Sequence, residues 1–144
     1  MTADVTVADP LSRHDRQVYA RLADQLIPED PDLPSASQAE VPTVWIGEAL
    51  RVRPDLLPGL RVAIDLGAQE DPATALNRLH AEQPDAFDAL GTATAGAYFL
   101  NPEVRRLIGY PGQVSVPVQD DVDTYSDMLR NVVERGQVYR DVPD

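Results

Sequence analysis

The sequence predicts an all-α fold: a compact bundle of six or seven short helices with one long Pro/Asp-rich loop. Three observations carry that reading. Apolar residues recur at helical spacing through most of the chain. Two helix starts are written as a capping residue followed by proline, Asp71-Pro72 and Asn101-Pro102. Only Val114 to Val118 reads as extended, and it is short, contains Pro117 and has no strand partner, so no sheet is predicted.

The elements follow in order. Ser12 caps a first helix, with Asp15 three residues on as a short capping box. Leu11, Val18, Leu22 and Leu26 share one stripe of it, and Ile27-Pro28 ends it, because a residue before proline avoids helical geometry. Pro28 to Pro42 is a long connection with four prolines and the acids Glu29, Asp30 and Asp32, with a helical turn at Ser35 to Glu40. A loop of this length in a small domain is either a plain surface crossover or partner-facing.

Pro42 opens a second helix carrying Val41, Trp45 and Ala49 at helical spacing. Asp55 caps a third, with Pro58 in its first turn, running to about Ala68. Leu57, Leu60 and Ile64 form its stripe, and Leu56, Val62 and Leu66 add apolar area on other sides, which suits a central helix. Asp71-Pro72 starts the helix 72–83, presenting Leu76 and Leu79.

Pro84 starts the next helix, with Phe87, Leu90, Thr94 and Tyr98 on one side. Its small residues from Gly91 to Ala97 would admit a closely packed backbone. Asn101-Pro102 starts another, which Gly109 ends at the C′ position. Tyr110-Pro111-Gly112-Gln113 matches a type II turn. Tyr125, Met128, Leu129 and Val132 mark a last helix, ended by Gly136. Residues 1–11 read as a flexible N-terminal tail, 12–140 as a single helical domain and 141–144 as a C-terminal tail.

Composition narrows function. A chain of 144 residues with 43% hydrophobic residues has room for one core. Twelve basic residues stand against 24 acidic ones, a formal net charge of -12, and the basic residues are scattered. Nucleic acid and anionic membrane surfaces both call for a clustered basic face, so both are disfavoured. The most apolar run, Leu56 to Ala68, is too short and too charged to span a bilayer, so no membrane insertion is expected. Met1 to Pro10 has no basic n-region, apolar h-region or twin arginine, which places the expected location in the cytoplasm. With no cysteine there are no disulfides, thiol catalysis or thiolate-held metals.

Catalytic patterns are equally sparse. The only histidines are His14 and His80, each reading as an ordinary helix residue, and no Gly-x-Ser-x-Gly elbow occurs. Asp120, Asp121, Asp123 and Asp127 fail the spacing of a calcium loop and suit a helix N-terminus instead. No phosphate-binding glycine loop is present. With 24 acids, carboxylate pairs are close by chance, and the sequence singles none out. No catalytic, cofactor-binding or metal-ligating residue is therefore assigned. The aromatics carry more information: Tyr98-Phe99 and Tyr110 flank a segment ending in the turn, and aromatics beside Pro/Gly turns suit protein interfaces. Trp45 and Phe99 equally suit a core.

Three stretches, in this order and spacing, resemble the gluconate 2-dehydrogenase subunit 3 family. The first is Leu26-Ile27-Pro28 leading through the acidic loop to Val41-Pro42 and Trp45. The second is Asn101-Pro102-Glu103-Val104-Arg105-Arg106-Leu107-Ile108-Gly109-Tyr110-Pro111-Gly112-Gln113, and the third is Arg135-Gly136-Gln137-Val138-Tyr139-Arg140. The resemblance covers about residues 12–140. It implies a non-catalytic small subunit that binds and stabilises a large flavoprotein dehydrogenase of the glucose–methanol–choline class. FAD is held in that partner, which oxidises sugars, sugar acids or glycosides, and no cofactor is held in this chain. Many members carry a twin-arginine signal and escort the flavin subunit across the membrane; this chain starts Met1-Thr2-Ala3-Asp4, so a cytoplasmic complex is expected. Turn chemistry and resemblance together name Trp45, Tyr98, Tyr110, Pro111, Gly112 and Gln113 as candidate interface residues. Two other readings stay open: a small helical enzyme using carboxylates on sugar derivatives, which needs a concave pocket holding acids with raised pKa values, and a stand-alone protein-binding module.

Overall fold

The structure, a computed structural model, describes residues 9–115 and 122–138. Every regular element among them is helical, as the sequence predicts. The chain divides into two units, 1–112 and 113–144. The first holds helices α1 (Arg13–Leu26), α2 (Ile46–Val52), α3 (Leu57–Gly67), α4 (Pro72–Glu82), α5 (Pro84–Leu100) and α6 (Pro102–Leu107). The second holds α7 (Val122–Arg135). Residues 1–8 of the N-terminal tail expected at 1–11, and the whole C-terminal tail expected at 141–144, lie outside the described residues, as do Val116 to Val118 of the extended stretch, Asp120, Asp121, Tyr139 and Arg140.

Local rules set the helix starts. Ser12 and Asp15 form a reciprocal capping box: the Asp15 amide donates to Ser12 Oγ at 3.1 Å and the Ser12 amide to Asp15 Oδ2 at 2.8 Å. Asp71 accepts from the Thr74 amide at 3.0 Å, and Asn101 from the Glu103 amide at 2.8 Å. α6 ends in a Schellman motif. Gly109 at φ +70° lets its own amide reach Arg106 O at 3.1 Å, while the Tyr110 amide reaches Arg105 O at 2.8 Å. Gly112 takes the positive φ of a type II turn, +87°.

Asp55 departs from its expected role. No side chain caps α3, which is led in by a tight turn at Pro54–Leu56. The Asp55 carboxylate instead pairs with Arg53 at 2.7 Å, a fork of two charge-assisted bonds that outcompetes a single amide donor.

The core of the first unit is one cluster. Tyr19 and Leu22 of α1, Ile46 of α2, Leu60 of α3, Leu79 of α4, Leu90 of α5 and Val104 of α6 are fully enclosed in it. α3 and α5 make the most extensive helix pairing. The close approach comes from α3 rather than from the small-residue run of α5. A Cβ on Gly59 would lie 2.5 Å from Ala89 Cβ, and one on Gly67 would lie 2.9 Å from Leu22 Cδ1, while Gly91 and Gly96 face open space. Inside the core the Tyr19 hydroxyl bonds Thr94 Oγ1 at 3.1 Å, and Thr94 Oγ1 donates to Leu90 O at 2.7 Å. Burial raises the Tyr19 phenol pKa, against the lowering effect of the Thr94 hydrogen bond.

The long connection is anchored over its second half. Ala36, Ala39 and Val41 are buried, while Glu29, Asp30 and Asp32 stay exposed. The Ala36 amide donates to Ile27 O at 3.0 Å and the Ser37 amide to Asp24 Oδ1 at 2.7 Å. Glu40 then adopts a left-handed φ of +58°. The backbone enters α2 through a wide π-turn, Val41–Trp45, in which the Ile46 amide reaches back to Val41 O. Arg16 secures this turn. Its guanidinium donates to Pro42 O at 2.6 Å and to Thr43 O at 3.3 Å, and pairs with Asp9 at 2.7 Å.

Candidate functional site

α5 is apolar around most of its circumference, which is unusual for a helix on a small domain. Its buried face carries Ala86, Leu90, Ala93, Thr94, Ala97 and Tyr98. Its outer face carries Thr92, Ala95, Gly96, Phe99 and Leu100 at i, i+3, i+4, i+7 and i+8, all exposed. Where α5 lies against α2 this face forms an apolar groove of about 210 Å³, with Ala93 and Gly96 in its floor and Val52, Leu56 and Leu100 beside them. Phe99 is 50% exposed and Val52 65%.

The apolar surface continues on the next element. Leu107 and Ile108 at the end of α6 are exposed, and so is Tyr110, which the Schellman geometry turns outward. Large apolar side chains are abundant on protein surfaces singly, so what distinguishes this region is their grouping along α5 and at the end of α6.

The structure sorts the residues named from sequence. Tyr110, Pro111 and Gln113 are exposed and Gly112 is half-buried; Gln113 belongs to the second unit, whose boundary falls at Gly112. Tyr98 is corrected to a core residue, 3% exposed, its hydroxyl donating to Pro34 O at 2.7 Å. Burial, and the nearby Asp30 carboxylate after it, raise its pKa. Its neighbour Phe99 takes the outward place and meets the Tyr98 ring edge-on at 5.6 Å between centroids. Trp45 is half-buried against the core, in the π-turn, and its indole Nε1 is enclosed without a hydrogen-bond partner among the described residues. Sequence reasoning missed Leu100, Leu107 and Ile108. The signal that finds them is the breadth of apolar character on α5 and at the end of α6, beyond what one buried stripe needs.

Reactive groups are dispersed. His14 and His80 are exposed on α1 and α4, and the His80 ring packs edge-on against Phe87 at 5.2 Å. Among the described residues no three His, Asp or Glu side chains group as a metal site. An open cleft of about 540 Å³ between α3 and the α4–α5 turn is bordered by Asp55, Glu82 and Asp85, but Asp55 is paired with Arg53 and Glu82 with Arg78.

Among the described residues, every carboxyl group whose pKa departs from its ordinary value departs downward. Arg53 holds Asp55 down and Arg106 holds Glu103 down. The Ser12 backbone amide and hydroxyl lower Asp15, and Thr74 lowers Asp71. At Asp9, burial pulls the pKa upward, but hydrogen bonds from Arg16 and the Leu11 amide outweigh it. A carboxylic acid acting as a proton donor near neutrality needs the opposite shift. No helix among the described residues is long and apolar enough to cross a membrane.

Comparison with protein-family models, with curated proteins and with solved structures returns no match to this chain.

Proposed function

We propose that this protein is a non-catalytic small subunit that binds and stabilises a large FAD-dependent sugar or glycoside dehydrogenase of the glucose–methanol–choline class. The observation that carries the protein-binding part is the apolar outer face of α5, continued by Leu107, Ile108 and Tyr110, on a unit whose core is already closed. The dispersed histidines and the downward-shifted carboxyl groups agree with an accessory role. The flavoprotein identity of the partner rests on the resemblance of the Leu26–Pro28, Asn101–Gln113 and Arg135–Arg140 stretches to the gluconate 2-dehydrogenase subunit 3 family.

Affinity capture of the full chain from its native cytosol, followed by absorbance spectroscopy of the co-purifying protein, tests the reading. A stoichiometric yellow partner with a flavin spectrum is expected. The double variant Tyr110→Ala/Gln113→Ala is expected to keep the melting temperature of the free protein and to weaken the complex about tenfold or more, the loss typical of a removed aromatic anchor. A colourless, partner-free protein refutes the accessory-subunit reading, and unchanged affinity in the double variant refutes the placement of its interface.

A further inference from the structure

Another cleft lies between α1 and the turn that leads into α2, and it encloses about 280 Å³. Arg13, Gln17 and Ala20, at i, i+4 and i+7, present one face of α1 to it. Ser37, Pro42 and Thr43 form the opposite wall. Hydrogen bonds to α1 pin that wall at both ends. The Ser37 amide donates to Asp24 Oδ1 at 2.7 Å, and Pro42 O accepts from Arg16 at 2.6 Å. Between these two points the backbone takes costly shapes, the left-handed Glu40 and the π-turn Val41–Trp45. Such shapes persist only where surrounding contacts impose them, and they concentrate at functional sites.

Charge says what the cleft accepts. Residues 9–112 carry nine arginines against sixteen carboxylates, and no lysine. Six of those arginines pair with a carboxylate. Arg16 is one of them: Asp9 answers its charge, and Pro42 O and Thr43 O take its remaining donors. Arg13 is not. It is exposed on the cleft wall, and among the described residues its guanidinium, the Gln17 amide and the Ser37 hydroxyl have no hydrogen-bond partner. Among the described residues no carboxylate lines the cleft. Arg13 therefore offers one uncompensated positive charge and a planar fork of donors. A doubly charged anion would leave one charge unanswered in the negative field of the other residues, so a singly charged carboxylate is the better match.

We propose that this cleft binds a carboxylate: Arg13 takes the charged group, Gln17 and Ser37 add hydrogen bonds, and Ala20 and Pro42 receive the carbon body. The carboxylate comes from a free small acid or from an Asp or Glu side chain of another protein. The site goes beyond the accessory-subunit reading and does not depend on it.

The test titrates the isotope-labelled full chain with sodium acetate and, separately, with acetyl-aspartyl-methylamide, each replacing sodium chloride at constant ionic strength. Amide NMR is expected to show saturating shifts at Arg13, Gln17, Ser37 and Thr43, with a shift of the Arg13 Nε–H. Arg13→Gln is expected to weaken binding at least ~10-fold, and Gln17→Ala/Ser37→Ala several-fold, as charge-assisted and neutral hydrogen bonds are lost. Arg106→Gln, which removes the same charge from α6, is expected to change binding less than about twofold through screened long-range attraction. Arg13→Gln and the double variant are expected to melt with wild type, because these side chains hold no other protein group among the described residues. Tighter binding of acetate assigns the site to a free small acid, and tighter binding of the capped aspartate assigns it to a protein side chain. Shifts that fail to saturate by ~0.1 M, or that scatter over the surface, describe an adventitious ion only and overturn the proposal. So does an Arg13→Gln variant that binds as wild type does, or an Arg106→Gln variant that loses as much as Arg13→Gln.

Discussion

Asn101 joins a local rule to a tertiary one, and its two halves can be separated by substitution. Its Oδ1 caps α6 by accepting from the Glu103 amide at 2.8 Å. Its Nδ2 donates to Ala39 O at 2.9 Å, 62 residues back in the anchored half of the long connection. The residue is buried, so Ala39 O has little access to a replacement water. Asn101→Ser keeps a capping oxygen but is too short to reach Ala39. It loses the tertiary bond alone, a cost of about 1–2 kcal/mol for an enclosed carbonyl left unpaired. Asn101→Ala also loses the cap, adding about 1 kcal/mol. For a unit of this size each kcal/mol lowers the melting midpoint by roughly 4 °C, so about 4–8 °C is expected for Asn101→Ser and about 8–12 °C for Asn101→Ala. Urea unfolding followed through Trp45, the single tryptophan, reports the first unit directly. If Asn101→Ser matches wild type within about 0.3 kcal/mol, the bond to Ala39 contributes nothing and the reasoning fails. If the serine and alanine variants are equally unstable, the cap contributes nothing.

Three further predictions are open to the same assay. Gly59→Ala forces its new Cβ to within 2.5 Å of Ala89 Cβ and is expected to destabilise by about 1–3 kcal/mol, whereas Gly96→Ala adds a methyl in open space within a helix and is expected to stabilise by about 0.5–1 kcal/mol; equal effects would show that α3 and α5 are not in close approach. Tyr19→Phe and Thr94→Val, alone and together, are expected to show a coupling of about 1 kcal/mol through their buried hydrogen bond; strict additivity would remove that bond from the account. Asp71 has a pKa lowered by hydrogen bonds from the Thr74 side chain and then its amide, so its contribution is present above the ordinary carboxyl pKa and is lost as pH falls through the lowered value. Asp71→Asn keeps a capping oxygen but cannot titrate, and is expected to flatten the acid limb of the stability–pH curve, a change that acid titration of both proteins would reveal or refute.

The helix starts at Ser12, Asp71 and Asn101, the stop at Gly109 and the all-α class were legible because they rest on contacts within five residues. Ser12–Asp15, Asp71–Thr74 and Asn101–Glu103 make their bonds whatever the rest of the chain does. The buried stripe of α1, with Val18 and Leu22, was legible for a related reason: its opposite face is polar, so only one orientation buries apolar area.

Tertiary structure decided everything for which the local signals were degenerate. α5 is apolar on nearly all sides, so periodicity alone did not separate Tyr98 from Phe99; packing put Tyr98 inward, where Pro34 O accepts its hydroxyl, and left Phe99 at the surface. Asp55 had two possible partners, and the Arg53 guanidinium offered the stronger one. Of several glycines in helical segments, only the three-dimensional path of α3 over Ala89 and Leu22 selected Gly59 and Gly67 for close approach. The second bond of Asn101 to Ala39 and the hold of Arg16 on the π-turn span 62 and 26 residues. A sequence states such donors and acceptors without stating which will meet, because their pairing depends on chain closure rather than on spacing.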